Sequence, residues 1–288
     1  MIPRIRARYA GLAGLLAMTA CHHRAEQLPD ATPHYVVGAA WQAGGVWTYP
    51  HEDFAWQGTG IAVTDSGRSG ARRTVDGEPY NADSMTGAHP WLQLPAIVQV
   101  RNLDNGRVVR IRLNDRGPDQ RGRILSVTPR VASLLGMGAA PARVEITEDV
   151  QVSRTLAETL PGGPLLPLTA APVEAVQAVS LDAPSATLTA TVTHAAPESP
   201  ATLPDLPATW SQGYATGGLL WIELGRFTGR QYADMMARQA GGTVTEAGTQ
   251  GTGRWIAQTG PFNSIAEADA ALDLALREGV TGARIVVR

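Results

Sequence analysis

Residues 151–209 constrain the fold more than any motif in this chain, because they offer almost nothing to bury. Nine of the chain's 20 prolines fall there, among Ala and Thr, with Arg154 the only basic residue. That composition predicts an extended linker without a core of its own. The 288 residues therefore divide into two folded units. Fully extended, such a linker reaches at most ~200 Å.

Upstream, residues 34–150 carry short β-patterned runs: Tyr35-Val36-Val37, Ile61-Ala62-Val63, Ile97-Val98-Gln99-Val100 and Arg143-Val144-Glu145-Ile146. One short helix is expected at Val131–Leu135, stopped by Gly136. A compact, mostly β domain follows, either a barrel or a sandwich. Asn105-Gly106 between two β-rich runs predicts a hairpin. Its second run, Val108–Leu113, delivers Asn114-Asp115-Arg116-Gly117-Pro118, where Gly-Pro ends the ladder. An acid fixed at a strand's end beside a loop suits proton transfer. The same pentapeptide also reads as a capping Asp paired with Arg116.

Downstream, residues 210–288 contain an internal repeat. Gly225-Arg226-Phe227 with Ala233-Asp234, and Gly260-Pro261-Phe262 with Ala268-Asp269, both follow Gly-x-Phe-x5-Ala-Asp. A β-like run precedes each copy (Leu220–Leu224, Trp255–Thr259) and a helical pattern follows (Arg230–Gln239, Ile265–Arg277). With strands near Thr243 and Arg284, the order is βαββαβ, one small α+β domain built by duplication.

Net charge is −2 and all 24 basic residues are arginine. No global field draws the chain to nucleic acid, and the scattered His residues give no metal site. Arg4, Arg6 and Arg8 precede a short apolar run that ends Met18-Thr19-Ala20-Cys21. The run is too short to span a bilayer. It resembles a bacterial lipoprotein signal peptide over residues 1–21, with Cys21, the only cysteine, as the lipidated residue. His22 rather than Asp after it implies a periplasmic protein anchored in a Gram-negative outer membrane. Residues 22–33 read as a short tether.

The upstream unit resembles the rare lipoprotein A family, whose core is a double-psi β-barrel. The matching stretches are Gly60-Ile61-Ala62, Arg73–Tyr80, Met85-Thr86-Gly87-Ala88-His89, Val100–Arg107, Asn114–Pro118 and Arg121–Ile124. The downstream repeat resembles the SPOR domain, a ribonucleoprotein-like fold that binds peptidoglycan glycan strands stripped of stem peptides. The resemblance implies a lytic transglycosylase that cleaves the MurNAc–GlcNAc β-1,4 bond and leaves a 1,6-anhydro sugar, with no cofactor. Asp115 would be the acid/base and Glu78 the second carboxylate, with His89, Tyr80 and Arg116 binding substrate. On the SPOR unit, Glu223 and Gln258 hold equivalent repeat positions. Trp221 shares Glu223's strand face and would contact the glycan with them. The partners implied are peptide-free glycan, the membrane through Cys21, and division-site proteins.

Two departures stand out. The family's Ser-Trp-Tyr-Gly is replaced by Val63-Thr64-Asp65-Ser66, and its Asp-Leu-Ser by Ser126-Val127-Thr128. The first removes an aromatic platform and the second an acid near Asp115. Two rivals therefore stay open: a non-catalytic glycan-binding or wall-loosening protein, and a hydrolase using Asp115 and Glu78 with water.

Overall fold

The computed structural model describes residues 31–65, 72–138, 140–164, 203–247 and 253–288. Cys21, the signal peptide, most of the tether and residues 165–202 lie outside these.

After a small hairpin, β1 (Trp41–Ala43) and β2 (Val46–Thr48), six strands build the upstream unit. They are β3 (Gln57–Thr64), β4 (Thr86–Ala88), β5 (Ala96–Asn102), β6 (Arg107–Asp115), β7 (Arg123–Val127) and β8 (Ala142–Glu148). The order β4-β7-β3-β8-β5-β6 closes through a further β4–β6 pairing. The ring is a double-psi β-barrel, with β3–β7 and β4–β6 its parallel pairs. Alternation sets the interior: Ala96, Val98 and Val100 of β5 are fully buried, whereas Gln99 between them is exposed. Ile111, Leu113, Leu125, Val127 and Ile146 complete the core from neighbouring strands. Asn105-Gly106 turns β5 into β6 as predicted, with Gly106 at φ 79°. The expected short helix is α1 (Pro129–Leu135), capped by Thr128 and ended by Gly136 in the left-handed region at φ 65°. Tyr35-Val36-Val37 makes only an isolated bridge, Val36 to Leu94.

The linker expected at 151–209 does not begin at 151. Asp149 caps a helix, α2 (Val150–Thr159), by accepting from the Val152 N–H. Ser153 Oγ accepts from the Ile97 N–H at 2.9 Å, which seats the helix on β5. Ala157 and Leu160 then form a small buried cluster with Tyr35 and Leu203. The stretch is corrected at its far end too. Leu203 is buried, and Pro204 O accepts from Arg112 at 2.8 Å. Packing of a few small and apolar side chains overrides the Pro-rich composition at both ends. At the tether, His34 N donates to Asp76 O and Thr32 N to Gly77 O, so residues 32–34 lie against the barrel.

Strand β9 (Trp210–Gln212) adds to the outer edge of β6. The downstream unit follows as β10 (Leu220–Phe227), α3 (Arg230–Gln239), β11 (Thr243–Glu246), β12 (Trp255–Phe262), α4 (Ile265–Arg277) and β13 (Arg284–Val287). Its sheet order is β11-β12-β10-β13, all antiparallel, which is the predicted βαββαβ arrangement. Leu220, Ile222 and Leu224 point into an apolar cluster with Ala233, Ala237, Ala268 and Leu272 from the two helices. Trp221 and Glu223 alternate onto the other face. The duplicated positions Glu223 and Gln258 are direct cross-strand partners.

The two units touch. Thr59 on β3 bonds both the carbonyl and the N–H of Val287, at 2.8 and 3.0 Å. Arg123 forms a two-pronged ion pair with Asp269, at 2.6 and 2.8 Å, and Arg143 donates to Gly218 O. Barrel residues Ile61 and Leu103 belong to the apolar cluster of the downstream unit.

Candidate active site

Strand β6 carries Asp115 to the barrel mouth, where its side chain is 15 % exposed. One carboxylate oxygen accepts from the backbone N–H groups of Val75 (3.2 Å) and Arg116 (2.9 Å). The other accepts from Arg72 Nη1 at 2.5 Å. Every partner is a donor, so both carboxylate oxygens serve here as acceptors. Arg72 also reaches Asp65 Oδ2 through Nη2 at 2.9 Å. Its guanidinium lies 4.0 Å from the centre of the Tyr80 ring. Its own basicity is raised: burial lowers it, but the Asp115 hydrogen bond and the charges of Asp115 and Asp65 outweigh that. Asp65, Arg72, Tyr80, Asn114, Asp115 and Ser126 line one pocket of about 10 Å³, room for a single water.

Asp65 and Arg72 were not among the sequence candidates. Both departures from the family pattern, Asp65 and Ser126, open onto this pocket. The parallel β3–β7 register explains it: Val63 pairs with Ser126, and the Asp65 N–H donates to Val127 O just beyond. An acid at the end of β3 thus stands close to Ser126 of β7, the other replaced position. The signal was present in the replaced motif, but only strand pairing shows that the two positions share a space.

Glu78 is held elsewhere. It is 7 % exposed and gripped from two sides by Arg112, at 3.0 and 2.6 Å, with Asn114 donating at 2.8 Å. It does not line the Asp115 pocket. Its charge acts instead on Asp76, fully buried, whose carboxyl is pushed up to about 7 by burial first and Glu78 second. Arg116 does not line the Asp115 pocket either. It donates to the carbonyls of Leu92 and His89 and, at 2.5 Å, to Val37. Burial lowers it to about 10, against the pull of Asp115.

His89 is fully buried between Trp56 and Trp91, with ring centres 4.9 and 4.7 Å away. Its Nδ1 accepts from the Trp91 and Leu92 N–H groups at 3.4 and 3.2 Å, and its Nε2 has no partner among the described residues. Burial, followed by the charges of Arg116 and His51, holds the ring neutral, well below the usual histidine range. Tyr80 is raised above the usual phenol range, by burial and then by Asp65.

On the downstream sheet, Glu223 is 2 % exposed and bonded by Arg226, Arg284 and Arg288 at 2.5–3.2 Å. Gln258, also buried, accepts from Arg288. These polar groups therefore position arginines, while Trp221 stays half-buried. Among the described residues no cluster of His, Cys, Asp or Glu is fit to hold a metal, and no helix is long and apolar enough to cross a membrane.

Residues 65–146 match the family model described as lytic transglycolase. An endolytic peptidoglycan transglycosylase RlpA of Pseudomonas aeruginosa is 33 % identical over 165 residues, 52 % of this chain and 48 % of that protein. One from Neisseria meningitidis is 37 % identical over 106 residues, 36 % of this chain and 44 % of that one. A probable one from a Nostoc species is 45 % identical over 78 residues, covering 26 % and 21 %. The chain spans about half or less of the length of these relatives.

Proposed function

Because the chain belongs, through its barrel, to the rare lipoprotein A family, we propose that it is a peptidoglycan lytic transglycosylase acting on peptide-free glycan strands. The observation that carries the reading is the Asp115 carboxylate, held at the barrel mouth by two backbone N–H groups in the segment that matches the family. In the reaction this group, as an acid, protonates the oxygen leaving from the MurNAc–GlcNAc bond. As a carboxylate, it then takes the proton of the muramyl 6-hydroxyl. That hydroxyl already belongs to the sugar under attack, so ring closure to the 1,6-anhydro product is intramolecular. No water need be activated, which fits a site where Glu78 is bound by Arg112 rather than facing Asp115.

The geometry drawn here is the base half of the cycle. The acid half requires Arg72 to release Asp115, since a protonated carboxyl gains nothing from a guanidinium. Glycan entry supplies a reason for release, because the space beside Asp115 is otherwise one water wide.

That narrowness is also what favours the second reading, a glycan-binding protein that does not cut. Digestion of amidase-treated sacculi, with products identified by mass spectrometry, separates the two. Anhydro-muramyl ends that vanish in Asp115→Asn support the enzyme. Reducing ends would point to a hydrolase, and intact sacculi that retain bound protein would leave only the binding role.

The downstream βαββαβ unit supports recruitment to the wall as a SPOR-type domain. The signal and lipobox pattern ending at Cys21 supports anchoring at the outer membrane. Loss of acyl labelling and release of soluble protein in Cys21→Ser are the expected results.

A further inference from the structure

Strand β6 carries Asp115, and a strand inside a sheet needs a hydrogen-bonding partner along both edges. Along one edge that partner is β5, paired from Ala96 with Leu113 down to Arg101 with Val108. The other edge is divided. β4 takes its far half, at Arg112, Leu113 and Asp115, and β9 takes its near half, at Arg107, Val108 and Val109. β9 lies outside the stretch 65–146 that matches the family.

The chain is fastened before it reaches β9. Leu203 is buried with Tyr35, Ala157 and Leu160, and Leu206 packs against the barrel core. A proline follows each leucine, and proline fixes φ and stiffens an extended run. Beyond them, the Arg107 guanidinium lies over the Trp210 ring at 4.5 Å, and the Gly213 N–H donates to Gly106 O in the hairpin turn. Residues 203–212 thus form a strap along β6.

Arg112 stands where β4 gives way to the strap, with its side chain 6 % exposed. Its Nη1 donates to Pro204 O at 2.8 Å, while Nε and Nη2 hold Glu78. Glu78 in turn accepts from the side chain of Asn114, the residue before Asp115, and its carbonyl accepts from the Thr74 N–H. Thr74 precedes Val75, whose N–H donates to Asp115, and the Asp76 N–H donates to Asn114 O. Without Pro204 O, a buried guanidinium N–H loses its acceptor, and Arg112 can seek another only by loosening Glu78.

We propose that the strap of residues 203–212 is a positioning element of the active site. It holds β6 and, through Arg112, Glu78 and Asn114, keeps Asp115 and the Val75 N–H in register. The proposal rests on the reading of Asp115 as the acid/base, and gives the chain leading to the downstream unit a part in that chemistry. The strap acts at a distance, and a misplacement of about 1 Å at a reacting group is enough to cost on the order of 10²-fold in rate.

The test uses the full-length chain with Leu203→Asp, which expels the buried anchor, and separately with Trp210→Ser, an exposed position whose loss opens no core. Amide exchange at Val75 and Asp76 should quicken in both, while the β3–β8 ladder exchanges as in wild type. For release of anhydro-muramyl ends, kcat should fall by about 10–10²-fold in Leu203→Asp and by less in Trp210→Ser, with KM unchanged. Leu203→Met, which refills the anchor, should recover both readouts. Wild-type exchange at Val75 and Asp76 in both variants, or a wild-type kcat where exchange has quickened, overturns the proposal. So does exchange that quickens equally along β3 and β8, which would make the strap a general prop of the barrel. Failure of the parent reading looks different. A wild-type chain that yields no anhydro ends, while Leu203→Asp still speeds exchange at Val75, removes the catalysis and keeps the strap's hold on the loop.

Discussion

Asp115 and Glu223 are both strand carboxylates held by arginine, yet one is within reach at a strand's end and the other is enclosed in mid-strand. Asp115 ends its strand, meets one guanidinium and two backbone N–H groups, and keeps 15 % of its side chain in reach of solvent. Glu223 lies in mid-strand under three guanidiniums with 3 % exposure. Burial would raise its carboxyl, but the Arg226 hydrogen bond and the charges of Arg284 and Arg226 keep it below the usual range. A third kind is Glu148, buried against the Gln93 amide with no guanidinium bonded to it among the described residues, whose carboxyl is pushed up to about 7 chiefly by burial. Position in the strand decides access, and guanidiniums outweigh burial at Glu223 whereas burial prevails at Glu148.

The largest expected effect breaks this comparison at Asp115. Asp115→Asn should cut the release of anhydro-muramyl products by about 10²–10⁴-fold, with the circular-dichroism spectrum unchanged. Wild-type rates in that variant would remove Asp115 from the chemistry. Next come the holding acids. Glu78→Gln strands the buried Arg112 guanidinium, so urea unfolding should report a loss of about 3–5 kcal/mol. Glu223→Gln frees three arginines that solvent reaches, and its loss should be nearer about 1 kcal/mol. A loss confined to a few tenths would show that these pairs hold nothing.

The third prediction concerns pH. Glu148 has an ordinary value of 4.5 and a folded value of about 7. Its stabilising contribution is full below 4.5 and is lost as pH rises toward 7, because the unfolded chain ionises first. By linkage, the loss is on the order of 3 kcal/mol. Glu148→Gln keeps a carbonyl for Gln93 and removes the ionisation, so its stability relative to wild type should climb across that window. Glu223, whose folded value is depressed, slopes the other way, stabilising above 4.5 and losing its effect as pH falls. A flat difference between Glu148→Gln and wild type would mean that Glu148 is ionised in the folded barrel.

The smallest effect sharpens the comparison. Arg72→Gln removes the cation facing Asp115, and Asp65→Asn removes the acid behind it. A charge effect of about 1 kcal/mol should move the alkaline limb of the activity profile by ~0.5–1 pH unit. The limb moves upward in the first variant and downward in the second. Limbs that coincide with wild type in both would make the Asp65–Arg72 bridge structural alone.

Much of this was legible in advance. The Asn105-Gly106 hairpin, the helix ended by Gly136 and the duplicated βαββαβ unit appear where local pattern placed them, since turn chemistry and periodicity act over a few residues. Legibility failed at α2, where a Pro-rich composition hid a capped helix seated on β5 by Ser153.

The sequence by itself determined which acid ends β6, because an apolar run, a turn and Gly117-Pro118 are local facts. Only the tertiary structure decided what faces that acid. Barrel closure pairs β3 with β7 and brings Asp65 and Arg72 to Asp115, while β6 delivers Arg112 and Asn114 to Glu78. Charges act through space, and residues far apart along the chain become neighbours only when strands pair.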